Sequence, residues 1–436
     1  MEAYNLVSFA GIFILLGIAW LFSANKKQMN WRLIGWGLTL QLCFASFVFW
    51  FPAGRQFFLG INSAVLKILS CASAGSEFVF GRLALPPGMT NASGETSLGF
   101  YLAFQAFPAI IFFAALMSVL YFFRIMPLII RGFAYLFTGL MRVSGAESLC
   151  AASNIFVGIE SALTVRPFLN TMTRSELATV LTAGMATVAS NVLAMYVFML
   201  QNEFPTIAGH LVSASILSAP AALVMSKILL PETDTPETLG VHIQPSVNRE
   251  NNLFEAIING ANSAIKLIVG IAALLIAVLG LVALLDLILG GVGGSINRLF
   301  SIHVNWTLKG LLGYLFYPVT LILGVPIQDA WEISQIIGER AVLTEVTAYQ
   351  DLAGLLTKDI LMHSRSAFIC TYALCGFAHV ASLAIFVGGI AALIPDRKQA
   401  LTVLGPRALL AATLACLLTA SVAGTFFNQS SILLGQ

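Results

Sequence analysis

Six stretches of this chain, residues 6–23, 33–51, 101–123, 212–230, 264–289 and 409–427, are each apolar over about the length of a membrane-crossing helix. The hydrocarbon core of a bilayer is ~30 Å thick, and ~18–20 helical residues cross it. Hydrophobic residues make up 58% of the 436 and charged residues only 10%, against roughly a quarter charged in a soluble domain. A chain this apolar has too little polar surface to cover itself, so lipid must do so. Backbone in lipid must satisfy its own hydrogen bonds, which leaves helices or a closed barrel. Apolar runs of this length select helices, and the expected fold is an all-α integral membrane protein.

The same figures exclude several classes. A net charge of +2 is too small for a nucleic-acid partner; the expected partners are the bilayer and a small solute. The six cysteines are scattered through apolar segments, and the closest pair, Cys370 and Cys375, lacks the C-x-x-C spacing. They read as reduced packing residues. There is no Gly-rich phosphate loop ahead of a Lys, no H-E-x-x-H and no G-x-S-x-G, so no enzymatic activity and no cofactor are expected.

Basic residues set the topology. Lys26, Lys27 and Arg32 follow the first run and place that loop in the cytoplasm, with the N-terminus outside. The first run has no basic region before it and no small-residue cleavage site after it, so it reads as a span and not a signal peptide. The second run exits near Pro52, and residues 53–99 are expected outside or at the interface. Arg124, Arg131 and Arg142 then fall inside, as do Arg397 and Lys398. The long polar stretch 231–252 reads as a cytoplasmic loop. It divides the chain into scaffold helices (1–125) and a first repeat (126–230) on one side, and a second repeat (253–436) on the other.

Four short matches recur in the same order in the two repeats. Residues 141–147 end on Glu147 as 323–329 end on Asp329. Glu160 is matched by Glu345, the junction 173–175 (Thr-Arg-Ser) by 364–366 (Ser-Arg-Ser), and Val188-Ala-Ser190 by Val380-Ala-Ser382. Segments 136–170 and 308–351 are apolar but interrupted by Gly, Asn and Glu, too polar for lipid-facing helices. Each fits a re-entrant helical hairpin. Three full spans between them, at 177–200, 212–230 and 264–289, would invert the second hairpin relative to the first. Inverted repeats with broken elements meeting at the midplane are the architecture of secondary transporters, in this case with about eight transmembrane helices.

A carboxylate within the membrane normally pairs or lines a pathway. Glu160 and Glu345 therefore either bond a neighbouring broken helix or meet a solute or ion. Glu147, Asp329 and Glu332 lie nearer the aqueous ends and suit helix-end roles. Asn154 either ties down a hairpin tip or offers an oxygen to a hard cation, and 187–190 is a small-residue stretch where a helix can unwind. His379 is either a satisfied interior side chain or a proton carrier, with Ser382 on its face. Phe44, Phe47, Trp50 and Phe51 read as lipid-facing.

At these residues the chain resembles the concentrative nucleoside transporters, from about residue 101 to 427. The resemblance rests on 154–161 (Asn-Ile-Phe-Val-Gly-Ile-Glu-Ser) with 166–169 and 172–177 after it. It rests equally on 323–326 and 342–349 (Val-Leu-Thr-Glu-Val-Thr-Ala-Tyr), and on 372–378 (Tyr-Ala-Leu-Cys-Gly-Phe-Ala). It implies a cation-driven symporter of nucleosides or a related ribosyl compound. It also implies a homotrimer in the bacterial cytoplasmic (inner) membrane, with sodium favoured over a proton as coupling ion. By position, Asn154, the Val157 carbonyl, Thr187 and the Val188 carbonyl match sodium ligands. Glu160 and Val192 match base contacts, and Glu345, Phe377 and Ser382 the ribose side. Two departures stand out. Ile159 replaces the family's base-reading Gln in a tip one residue short, and His379 replaces an Asn. The alternatives are a same-fold transporter of a non-nucleoside polar solute, or a gated channel.

Overall fold

The computed structural model describes residues 3–91, 94–158, 160–246, 250–301 and 304–428. Among them every regular element is a helix, with only two isolated bridges outside. The first group comprises α1 (Ala3–Leu21), α2 (Trp31–Phe49), α3 (Pro52–Phe80), α4 (Leu102–Gln105) and α5 (Phe107–Phe122). Asn30 opens α2 as an N-cap, its side chain accepting from the Leu33 amide at 3.1 Å. Pro52 then starts α3 almost at once, because its fixed φ suits a first helical position. The turn is tight enough that a Cβ on Gly54 would collide with the Phe47 carbonyl. Part of the stretch expected as an external segment is thus a 29-residue helix. It buries one stripe through Phe58, Asn62, Leu69 and Ala72 and leaves the rest open.

The first repeat comprises α6 (Ile125–Met141), α7 (Gly145–Asn154), α8 (Ser161–Thr164), α9 (Arg174–Ala186), α10 (Ser190–Leu200) and α11 (Ile207–Leu229). The second begins with the 48-residue α12 (Leu253–Phe300). It continues through α13 (Leu308–Ile322), α14 (Ala330–Val342), α15 (Glu345–Thr357), α16 (Ser364–Leu374), α17 (Val380–Leu393) and α18 (Lys398–Thr425). Both hairpins are shorter than the segments 136–170 and 308–351. Arg142 turns left-handed at φ 51° and ends α6 as a helix of its own, and Gly324 does the same for α13 at φ 83°. The hairpin arms are α7 with α8, and α14 with α15. At 1.5 Å per residue the 10-residue α7 and 13-residue α14 reach only ~15–20 Å, about half of a bilayer core.

Among the described residues, eight helical segments are long and apolar enough to cross a membrane. Of these, α11 and α18 form the centre, buried over 89% and 83% of their most apolar windows, whereas α12 buries none of its own. A helix apolar on all sides and uncovered by its own chain is solvated by lipid. The chain is an integral membrane protein.

The linker 231–246 is docked, not free. Thr238 accepts from the Gly145 amide through its carbonyl (2.8 Å) and from the Ala146 amide through its hydroxyl (3.2 Å), and the Ser246 amide donates to the Thr164 carbonyl (2.9 Å). These bonds supply acceptors for the first amides of α7, which a helix leaves unpaired. All six cysteines are free thiols, four of them buried.

Candidate functional site

The second hairpin turns at Leu343 and Thr344, so Glu345 is the first residue of α15. It is 4% exposed. Its Oε1 accepts from the Tyr196 hydroxyl at 2.6 Å, and its Oε2 lies 2.9 Å from His379 Nε2. That second contact is close but not an aligned hydrogen bond, and Oε2 has no other partner among the described residues. A buried carboxylate oxygen in this state is an open acceptor.

His379 ends the interruption between α16 and α17 and is the N-cap of α17, its Nδ1 accepting from the Ser382 amide at 3.2 Å. A nitrogen that accepts from an N–H carries no proton of its own, so the proton of the neutral ring sits on Nε2. Nε2 is 2.6 Å from Ser382 Oγ. Nε2–H therefore donates to that hydroxyl, whose own O–H is left free, so the site presents a hydroxyl donor and a carboxylate oxygen. A sugar hydroxyl can accept from one and donate to the other. A second ring proton would have to break the cap of α17.

Tyr196 was not read from the sequence. The available signal was a phenol inside an apolar run, one turn beyond Val192 and so on the same face of α10. Val192 is 2% exposed; Phe377 lies in the α16–α17 interruption, half-buried, its carbonyl accepting from the His379 amide at 2.9 Å.

The first hairpin is built differently. Asn154 is the last residue of α7 and has no exposure. Its Nδ2 donates to the Cys150 carbonyl at 3.0 Å, while its Oδ1 has no partner among the described residues. The expected unwinding occurs: α9 stops at Ala186 and α10 starts at Ser190. Ser190 fastens the hairpin tip to this interruption, its amide (3.0 Å) and hydroxyl (2.5 Å) both donating to the Phe156 carbonyl. Ser215 of α11 donates to the Ile155 carbonyl at 2.8 Å. Thr187 and Val188 are buried, and the Thr187 hydroxyl donates to the Ala183 carbonyl at 2.9 Å, leaving its oxygen able to accept. An orphaned amide oxygen, a hydroxyl and backbone carbonyls are hard oxygen donors. Donors of this chemistry suit a small alkali cation, and the unpaired Oδ1 of Asn154 is the observation that makes the set a candidate.

Glu160 is exposed, at the N-terminus of α8, within electrostatic reach of Tyr121 on α5. Of the two hairpin carboxylates at 160 and 345 only Glu345 is buried. Ile159 lies outside the described residues.

The acidic residues assigned to helix ends have such roles. Glu147 closes a capping box with Ser144 and pairs with Lys227 at 2.5 Å. Asp329 accepts from the Met362 and His363 amides (2.9 and 3.0 Å) and from Ser366 Oγ (2.5 Å). The two interruptions lie back to back. A Cβ on Gly376 would come 2.8 Å from the Ala186 carbonyl, and the Cys416 thiol of α18 reaches both the Ala186 and Cys375 carbonyls, at 3.7 and 3.5 Å.

Comparison with known proteins gives the family and the fold. Residues 10–83 match the family described as "Na+ dependent nucleoside transporter N-terminus", 103–203 match "Nucleoside recognition", and 210–424 match "Na+ dependent nucleoside transporter C-terminus". The "Nucleoside permease NupC" of Helicobacter pylori is 35% identical over 431 residues, covering 98% of this chain and 99% of that protein. Mouse "Solute carrier family 28 member 3" is 35% identical over 96% of this chain, and the chain spans 58% of that longer protein. The solved structure of CNTnw in an inward-facing substrate-bound state is 32% identical and superposes with a TM-score of 0.87, over 98% of this chain and 99% of that one. The family and its structural neighbours are transporters, not enzymes. With family matches spanning most of its length and a relative 35% identical over 98% of it, this chain belongs to the family of Na+ dependent nucleoside transporters.

Proposed function

We propose that the chain is a secondary symporter that takes up nucleosides, or a closely related ribosyl compound, on a sodium gradient. The reading further places it in a bacterial cytoplasmic membrane as a homotrimer. The observation that carries it is the buried Glu345 with its open Oε2 beside His379 Nε2 and Ser382 Oγ. A ribose hydroxyl donates to Oε2 and accepts from the Ser382 O–H, which His379 Nε2–H orients. Val192 and Phe377 offer apolar surface to a base. Sodium binds first, held by Asn154 Oδ1, the Thr187 hydroxyl and the carbonyls of Val157 and Val188, and it fastens hairpin 1 against the α9–α10 interruption. Substrate then closes the gap to hairpin 2.

A hydrogen-bonding side chain discriminates ligands far better than an apolar one. With Ile159 where relatives carry a Gln, selectivity shifts from the base to the sugar. Uridine is therefore expected to raise the melting temperature of the purified protein in sodium buffer, and uracil to leave it unchanged. Equal stabilisation by both would remove Glu345 from the binding site. The coupling ion is tested in proteoliposomes loaded to carry either a sodium or a proton gradient, with uptake expected on the first alone.

A second reading, proton coupling, is favoured by one observation: the imidazole of His379 contacts Glu345 directly, and imidazole is the side chain that takes up protons near neutral pH. His379→Asn separates the two. Asn caps helices well and can still donate to a hydroxyl, so sodium-driven uptake is expected to persist in this variant; its loss, with a proton-driven wild type, would establish the second reading.

A further inference from the structure

Arg340 lies in the last turn of α14, near the tip of hairpin 2, and is 2% exposed. Its Nη1 donates to the carbonyl of Ala373, and its Nη2 lies 3.5 Å from the carbonyl of Ala378. No carboxylate forms an ion pair with it among the described residues; the adjacent Glu339 is paired with Lys309 at 2.9 Å. A buried charge without a counter-charge is costly and needs a reason.

Its two partners supply one. Ala373 stands in the last turn of α16, where the carbonyls are unpaired and the helix dipole is negative. Ala378 is the residue before the N-cap of α17. The guanidinium thus bridges the two sides of the α16–α17 interruption, as a coordinated cation would. The internal repeat puts a candidate cation site at the same place in the other half. Arg340 precedes Glu345 by the same five residues that separate Ile155, the neighbour of Asn154, from Glu160. In that half the orphaned Oδ1 of Asn154 stands two residues before the Phe156 carbonyl that Ser190 ties to the interruption; in this half the carbonyls already have a cation.

We propose that Arg340 is a tethered cation that holds the α16–α17 interruption in shape, doing for hairpin 2 what a mobile cation does for hairpin 1. The parallel with hairpin 1 rests on the sodium reading above, whereas the role of Arg340 does not. Arg340 is a positioning residue: by holding Ala378 it sets His379, and through His379 the donor next to Glu345. A fixed positive charge here also excludes a second mobile cation from this half.

The test compares Arg340→Ala, Arg340→Lys and Arg340→Met with wild type. Purified Arg340→Ala should melt lower than wild type and be restored by millimolar guanidinium chloride but not by urea, which has the same shape and no charge. Its uridine uptake should fall about a hundredfold and recover with guanidinium. Melting needs no substrate, so this arm stands even if uridine is not transported. A variant that melts as wild type, or that urea restores equally, overturns the proposal. If the Ala variant does not accumulate, the other two decide: Lys retained and Met lost supports a cation, and Lys and Met alike overturns it.

Discussion

Glu345→Gln should abolish measurable uridine uptake while leaving insertion and assembly intact. The carboxylate accepts from the Tyr196 hydroxyl at 2.6 Å, and in the proposed complex it also accepts from a substrate hydroxyl. Hydrogen bonds to a charged group contribute ~1.5–3 kcal/mol each. An amide turns one of the two acceptor oxygens into a donor, which then faces either the Tyr196 hydroxyl or His379 Nε2–H. Weakening one bond and opposing another costs about 3 kcal/mol or more, roughly a hundredfold in substrate affinity. The measurement is initial tritiated-uridine uptake in proteoliposomes, with melting temperature and particle size as controls. Uptake at the wild-type rate would sink the assignment of this site.

Asn154→Ala is expected to separate sodium binding from stability. In wild type the buried Oδ1 has no partner, a condition that costs ~1–3 kcal/mol. Truncation removes that cost together with the Nδ2 bond to the Cys150 carbonyl (3.0 Å), and leaves a small void. These contributions oppose one another, so in sodium-free buffer the variant should melt close to wild type. Adding sodium should raise the wild-type melting temperature, as for any ligand bound only by the folded state, and should leave the variant unmoved. The sodium concentration for half-maximal uptake should rise about tenfold or more, the loss of one neutral oxygen ligand being worth ~1–2 kcal/mol. A variant with an unaltered sodium response would show that the orphaned oxygen serves another purpose.

Both expectations begin from motifs that are legible in the chain. Glu160 and Glu345 sit at matching places in an internal repeat, and small residues mark the interruption after Ala186. The exposure of Glu160 was not legible, because it depends on how far the shortened tip reaches into the core. Hairpin ends were overextended for a local reason: Arg142 and Gly324 adopt left-handed backbone, and apolar flanking sequence does not announce where a helix stops. The role of Tyr196 is not legible in the sequence, since its partner lies 149 residues away, a pairing that no local pattern encodes. Arg340 was equally hidden, beside Glu339 in a hairpin arm, until the interruption of another helix closed around it.

What the sequence alone determined is the solvent and the plan: a chain for lipid, built as two related halves, each with a re-entrant hairpin, and an unwound stretch after the first of them. Composition and periodicity report directly on the medium that each segment faces, so these properties survive without coordinates. Tertiary structure decided which charge is buried, which donor faces it and that Arg340 bridges the second interruption. Those outcomes depend on side chains from separate helices converging within hydrogen-bonding distance, and only the packing of α10, α14, α15, α16 and α17 brings Tyr196, Arg340, His379 and Glu345 into one region.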